Sequence, residues 1–368
     1  MTYENSYEEV AKMLNQWYTD IKRHNIPQAV AMKDQILHTY PVIEDHQDLL
    51  LYFSLLDFRH SLMVQEFPES DRVYQLINKN KGDIKQTDSM IQYYYLFFSG
   101  MYEFHKKNYM DAINYYKLAE DKLRLIQDEI ESAEFNYKLA IAYYQIDQHF
   151  FSLSYAKKAF ESFNATEDYI EKTINSEMVL AANKLDLHRY DEAENHYKNA
   201  LDRAKTHGFR YTESLAYFNL GISYDRRNVL PEAIDCFLKA INIPEHNQSI
   251  FCIRSMYMLS RSFYKLERMD EARHWHTQAV SRAKEEGEIE YLAKLNLIHA
   301  LYDIGDSISI ENALDYLSSK DLWSDVAELT LDIAMYYKHH DDFEKAAVYF
   351  EKAHQAKDQI LIQTEVLS

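Results

Sequence analysis

Glycine, proline and cysteine are scarce in this chain of 368 residues, which contains 6 Gly, 5 Pro and 2 Cys. So few helix breakers predict long helices joined by short turns. Two cysteines are too few for a disulfide framework, and we expect Cys236 and Cys252 to be buried structural thiols. Glycine-rich phosphate loops are also absent, as are histidine and cysteine spacings typical of a zinc site. The composition favours an all-α protein without a metal site of its own.

Positively charged residues are also fewer than negatively charged ones. The 40 Lys and Arg residues are outnumbered by 59 Asp and Glu residues, which gives a formal net charge of −19. Such a field repels nucleic acid phosphates. No apolar run reaches the roughly 18 residues that span a bilayer, and the polar, acidic start from Met1 to Glu9 is unlike a signal peptide. We therefore expect a cytoplasmic protein that binds neither nucleic acid nor membranes.

A repeated helical hairpin is the clearest pattern in the sequence. In its best copy, Gly221 and Ala233 are small residues at which two antiparallel helices approach closely, while Tyr217, Tyr224 and Phe237 fill the space around them. This spacing is typical of a tetratricopeptide repeat. Because one hairpin cannot bury its apolar face alone, we expect neighbouring copies to stack against it.

Further copies are recognised by a triplet on the second helix of each hairpin, in which an aromatic residue stands between two small ones, as in Ala112, Tyr116 and Ala119. Triplets of this kind, some of them degenerate, begin at positions 112, 152, 193, 233, 272, 313 and 346. The period is about 40 residues, somewhat longer than the usual repeat of about 34. A second small residue stands twelve positions before most of these starts. The sequence thus predicts a right-handed tetratricopeptide-repeat superhelix of about seven repeats over residues 91–368.

The first 66 residues do not follow this repeat and are predicted to form a three-helix bundle. The predicted helices cover residues 4–24, about 27–39 and about 44–66, with proline residues marking their ends. Residues 67–90, polar between Asn78 and Thr87, are predicted to form a linker or hinge to the repeats.

The third predicted helix carries more apolar residues than the core of a small bundle needs, because Leu49, Phe53 and Leu56 already supply that core. Eleven residues at about 100° each return close to the starting direction, so a single stripe runs along the other side. The stripe consists of Gln47, Leu50, Leu51, Ser54 and Phe58. Headed by Glu44 and Asp45, it is either a docking face for a partner or the other half of the bundle core with a polar helix cap.

The run from Glu44 to His60, the pair Trp17 and Tyr18, and the span from Phe97 to Phe104 resemble the Rap family of bacilli, the response regulator aspartate phosphatases. The resemblance covers essentially the whole chain. It implies that the bundle and linker bind a bacterial response regulator. It also implies that the repeat groove binds a short secreted and re-imported Phr peptide, which inhibits the protein.

The resemblance further implies roles for individual residues of the bundle. Gln47 matches the family's catalytic glutamine, whose neutral amide can hold an attacking water in line with a phosphoryl-aspartate without adding negative charge there. Glu44, Asp45, Leu50 and Phe58 are then the contacts that dock the response regulator. The family pattern needs no cofactor of the protein's own, since Mg²⁺ comes with the response regulator.

For the peptide, the resemblance points to Asp186 and Asn219, on the first helices of adjacent repeats. Asp186 lies five residues after Ala181 and Asn219 lies two before Gly221, so their repeat positions differ by two helical turns and both are expected to face the concave groove. Asn219 is expected to pair with the peptide backbone and Asp186 with a basic side chain. The alternatives are an exposed charge before a turn and a polar residue bonded to a neighbour inside a helix.

Two functions of different class stay open on this pattern. The first is a peptide-inhibited phosphatase acting on a phosphorylated response regulator of the sporulation phosphorelay type. The second is a non-catalytic binding protein that sequesters the DNA-binding domain of a competence-type response regulator and is also released by peptide. In either case we expect the peptide to draw the bundle and linker onto the repeats and so to dismantle the docking face.

Overall fold

The computed structural model describes residues 6–64, 71, 72, 74, 75, 87 and 89–365, and every regular element among them is a helix. The chain divides into two compact units, Met1–Ala142 and Tyr143–Ser368. Most of the predicted linker lies outside the described residues, so its boundaries at residues 66 and 90 stay predictions. No helix in the described part of the chain is both long and apolar enough to cross a membrane.

The N-terminal bundle contains one short helix more than the sequence predicts. Its helices are α1 (Tyr7–Lys22), α2 (Ile26–Leu37), α3 (Tyr40–Glu44) and α4 (Gln47–Val64). Pro41 lies in the first turn of α3, where its fixed backbone angle suits a new helix, and α3 ends at Glu44. The third long helix therefore begins at Gln47 and not near Glu44, and Asp45 belongs to the turn between α3 and α4. Trp17, fully buried, packs its ring against Phe53.

Seven helical hairpins follow between residues 89 and 365, which confirms the all-α array of about seven tetratricopeptide repeats. They are formed by α5 (Ser89–His105) with α6 (Tyr109–Leu123), α7 (Glu129–Gln145) with α8 (His149–Asn164), α9 (Ile170–Asp186) with α10 (Tyr190–Thr206), α11 (Arg210–Arg226) with α12 (Leu230–Ile241), α14 (Phe251–Lys265) with α15 (Met269–Glu286), α16 (Ile289–His299) with α17 (Ser307–Ser319), and α18 (Trp323–His339) with α19 (Phe343–Glu365). The short helix α13 (Pro244–Asn247) lies between the fourth and fifth hairpins, and a π-helical turn (Ala300–Ile304) extends α16.

The turns inside the hairpins are tight although most of them lack glycine. A non-glycine residue with positive φ stands at the turn, as at Asn228 with φ 58°, and the next residue donates its N–H to a carbonyl five residues back, as Val229 does to Tyr224 at 2.9 Å. Equivalent turns occur at Lys107, Asp147, His188, Glu267 and Asp341, and at His24 between α1 and α2. Each such residue costs about 1 kcal/mol, which the packing of the two helices must offset.

The small residues of the repeat pattern lie where the helices meet. A methyl group placed on Gly221 would come within 2.6 Å of the ring of Phe237, which is fully buried. The prediction of a close approach at Gly221 is therefore confirmed. Phe350, on α19, differs from its counterparts Tyr116, Tyr197 and Phe237, because 38% of its surface is exposed and theirs are buried.

The two cysteines are free thiols and both are buried, as predicted. Burial raises the pKa of the Cys236 thiol to about 11 and also raises the pKa of Cys252. Both side chains therefore act as small apolar residues of the repeat core.

Candidate functional site

Gln47 is the first residue of α4 and its side chain is exposed. The N-terminal end of an 18-residue helix carries a partial positive charge, which favours an anionic group beside it. Glu44, at the end of α3, and Asp45, in the following turn, are exposed as well. The three polar residues assigned to response-regulator contact are thus all accessible.

The apolar residues of the same stripe become less accessible along α4. Leu50 is half-buried, whereas Phe58 is only 1% exposed. The ring of Phe58 contacts the rings of Tyr74 and Tyr102, at centroid distances of 5.5 Å and 5.7 Å. In this conformation Phe58 is part of the core of the first unit. The Gln47 end of the stripe therefore lies at the surface while the Phe58 end is covered.

A buried carboxylate joins α1 and α5 to α7 within the first unit. Glu131, in the first turn of α7, is fully buried and accepts hydrogen bonds from the hydroxyl of Tyr18 at 2.8 Å and 2.9 Å and from that of Tyr93 at 2.8 Å. The Lys22 ammonium lies 3.3 Å from Glu131 and 3.1 Å from Asp128. Burial raises the pKa of Glu131, although Lys22 and the two hydroxyl groups oppose that effect.

A second polar contact links α4 to the same helix. The guanidinium of Arg59 lies 3.7 Å from the carboxylate of Glu134, and both side chains are buried. The Glu131 and Glu134 contacts, which we call the α7 catch, thus attach α1 and α4 of the bundle to the first half of α7.

Asp186, the last residue of α9, is half-buried and belongs to a network of charged and polar side chains in the second unit. The hydroxyl of Tyr144 donates a hydrogen bond to its carboxylate. The pKa of Arg226 is raised chiefly by Glu328 and to a smaller extent by Asp186, whereas burial opposes the shift. Asp147 is a further neighbour, and its own pKa is raised chiefly by burial and in part by Asp186.

Asn219 lies on α11 and is half-buried. Its side-chain amide donates to the sulfur of Met178 on α9 at 3.5 Å. Asn219 shares a helical stripe with Ile222 and Arg226, which stand three and seven residues further along. These two residues line a cavity of about 140 Å³, together with charged and aromatic side chains from α14, α16 and α18.

The charged residues that line this cavity form ion pairs between helices, and the sequence did not predict these pairs. Glu328 on α18 accepts from Arg226 on α11 at 2.8 Å and from Arg261 on α14 at 3.1 Å. Arg261 is buried and also contacts Asp332 and, at 3.8 Å, Asp225. Burial alone would raise the pKa of Glu328, but Arg226 and Arg261 lower it to about 2. Glu328 is therefore a carboxylate held ionised between two guanidinium groups.

No residues in the described ranges form a group of three or more His, Cys, Asp or Glu side chains that could hold a metal ion.

The chain is similar to known proteins over nearly its whole length. The family model for the N-terminal part of response regulator aspartate phosphatase H matches residues 4–65, and a tetratricopeptide repeat model matches residues 172–246. Two relatives come from Bacillus subtilis (strain 168). Regulatory protein RapF is 31% identical, with 98% of this chain and 97% of its own length covered. Response regulator aspartate phosphatase A is 32% identical, with coverage of 98% and 96%.

Solved structures agree with the sequence matches. The crystal structure of a Rap protein complexed with competence and sporulation factor is 33% identical, covers 97% of this chain and 99% of its own, and gives a TM-score of 0.91. The apo form of RapI is 30% identical, with coverage of 95% and 98% and a TM-score of 0.67. The resemblance inferred from the sequence is confirmed, and the chain belongs to the Rap family.

Proposed function

We propose that this protein is a phosphatase that removes the phosphoryl group from the aspartate of a bacterial response regulator and is inhibited by a short signalling peptide. The observation that carries the proposal is the exposed amide of Gln47 at the N-terminus of α4. Relatives at about 30% identity that bear the name response regulator aspartate phosphatase support the same reaction class.

The chemistry assigned to Gln47 requires little from the rest of the chain. Its amide oxygen accepts a hydrogen bond from a water molecule, and its N–H donates to a phosphoryl oxygen, so that the water is held in line with the scissile bond. The positive end of α4 favours the phosphoryl anion at this point. Mg²⁺, held by the response regulator, supplies further charge stabilisation, and Glu44 and Asp45 help to orient the partner.

We also propose that the described conformation corresponds to the inhibited form. Phe58, which the family pattern assigns to docking, is covered here by Tyr74 and Tyr102. Release of the α7 catch would free α1 and α4 and uncover the docking face. The peptide site that stabilises the inhibited form is the groove beside Asp186 and Asn219.

The test of catalysis uses purified response regulators labelled by phosphotransfer and then mixed with one-tenth of an equivalent of this protein. We expect loss of label from one regulator, and we expect Gln47→Ala to abolish that loss while binding of the regulator persists. Gln28→Ala, which changes an exposed glutamine on α2, is the matched control and keeps full activity. Undiminished activity of the Gln47→Ala variant would contradict the role of Gln47.

A second candidate function is stoichiometric sequestration of a response regulator's DNA-binding domain. It is favoured by the similarity to RapF, which is named a regulatory protein. A gel-shift titration separates the two functions. Sequestration displaces unphosphorylated regulator from DNA only near equimolar protein, whereas a phosphatase acts on phosphorylated regulator at a small fraction of an equivalent.

A further inference from the structure

Arg226 interacts with two carboxylates that belong to different hairpins. Its guanidinium donates to Glu328 at 2.8 Å, and it also lies within the electrostatic influence of Asp186. In a repeat array each hairpin normally contacts its neighbours, but α11 and α18 belong to the fourth and seventh hairpins. The side chain of Arg226 is 42% exposed, whereas that of Arg261 is 5% exposed.

Glu328 is the better anchored of the two carboxylates. Its second oxygen accepts from Arg261 at 3.1 Å, and the Arg261 side chain is only 5% exposed. Arg261 is fixed in turn by Asp332 and Asp225. The buried part of this network thus holds the Glu328 carboxylate in place as an acceptor for Arg226, and Arg226 is the more exposed of its two guanidinium donors.

Asp186 has a weaker set of partners within the protein. Tyr144 donates one hydrogen bond to it, while Asp147 contributes a second negative charge nearby. A carboxylate in such a position attracts any guanidinium or ammonium group that reaches it. Arg226 is a cation close enough to interact electrostatically with Asp186, and if it turned to Asp186 it would compete with a ligand for that carboxylate.

We propose that Glu328 is a positioning residue for ligand selection, because it holds Arg226 away from Asp186 and so reserves Asp186 for the basic side chain of a peptide. The inference rests on the proposed function, in which the groove binds a peptide. In this account Arg226 acts as a gate. When Arg226 is paired with Glu328, the carboxylate of Asp186 is available to a cationic ligand. When Arg226 is released from Glu328, it pairs with Asp186 and excludes cationic ligands.

The test compares two probe pools on the immobilised full chain. One pool contains short peptides with a single arginine and the other positions random, and the matched pool carries neutral citrulline in place of that arginine. The wild-type protein should retain the arginine pool about tenfold better, the ratio that corresponds to one charge-assisted pair worth about 1.4 kcal/mol. Glu328→Gln should reduce that ratio toward one, because Arg226 then turns to Asp186.

The double variant Arg226→Gln with Glu328→Gln distinguishes positioning from a purely structural role. Removal of the gate should restore the tenfold preference, although the double variant has lost more ion pairs than the single one. Arg226→Gln alone should keep the preference. Glu194→Gln is the matched control, because it breaks the ion pair of the adjacent Arg227 at a site that does not line the cavity.

An unchanged preference in Glu328→Gln, or no recovery in the double variant, would overturn the inference. Loss of preference in Arg226→Gln alone would overturn it too, because Arg226 would then be a ligand contact and not a gate. Retention of neither pool by the wild-type protein would overturn the peptide-binding part of the proposed function, and the inference with it.

Discussion

Glu131 provides the most direct test of how the bundle is attached to α7. In Glu131→Ala, the hydroxyls of Tyr18 and Tyr93 and the ammonium of Lys22 lose a shared acceptor inside the protein. Breaking a buried ionic contact by removing one partner costs about 3–5 kcal/mol, because the remaining groups stay buried without compensation. Lys22 keeps Asp128 at 3.1 Å, which favours the lower part of that range.

The assay is urea unfolding of the first unit, followed by the fluorescence of Trp17. The chain has three tryptophans, and replacing the other two, Trp275 and Trp323, by phenylalanine leaves Trp17 as the reporter. With a slope of about 1–3 kcal/mol per molar urea, a loss of about 3 kcal/mol lowers the midpoint by about 1–3 M. Glu131→Gln should cost less, since its amide oxygen still accepts from the tyrosine hydroxyls.

Glu129→Ala is the control for this prediction. Glu129 also lies in the first turn of α7 but is exposed, so its replacement should change the unfolding free energy by less than about 0.5 kcal/mol. If Glu131→Ala unfolds within that same margin of the Glu129→Ala variant, the buried carboxylate does not attach the bundle to α7 and the reasoning is wrong.

Three further predictions concern the repeats. Gly221→Ala should cost about 1–3 kcal/mol of unfolding free energy in a urea titration, because the added methyl group overlaps the ring of Phe237; an unchanged midpoint would show that the ring moves aside freely. Burial lowers the pKa of His246 to about 4, so the folded state binds fewer protons than the unfolded state between that value and about 6.5, and stability falls as the pH drops through this window, by at most about 3 kcal/mol. His246→Gln should make the slope of unfolding free energy against pH shallower, and an identical slope would contradict the assignment. Cys236 and Cys252 should resist a thiol reagent at pH 8 in the folded protein and react after denaturation; rapid reaction in the folded protein would contradict their burial.

The repeats could be predicted because their information is local and recurs. Gly221 and the small residues of the triplets are required wherever two helices of a hairpin approach, so each copy of the pattern reinforces the others. The short helix α3 was missed because Pro41 can either end one helix or begin the next, and the sequence pattern does not distinguish the two.

The polar networks could not be predicted, because their members are far apart in the sequence. Tyr18 and Glu131 are separated by 113 residues and Arg226 and Glu328 by 102, and no periodicity links such positions. The burial of Phe58 has a similar cause. Its place on a helical stripe follows from the sequence, but what covers that stripe depends on tertiary contacts with Tyr74 and Tyr102.

The measurement that tests the central proposal most directly is the number of phosphoryl groups released per molecule of this protein. Purified response regulators are labelled, mixed with one-tenth of an equivalent of protein, and followed until the label is stable. We predict complete loss of label from one regulator, which is about ten turnovers at this ratio, and no turnover with Gln47→Ala. Retention of label by every regulator that forms a complex would contradict phosphatase activity and identify the protein as a sequestering regulator.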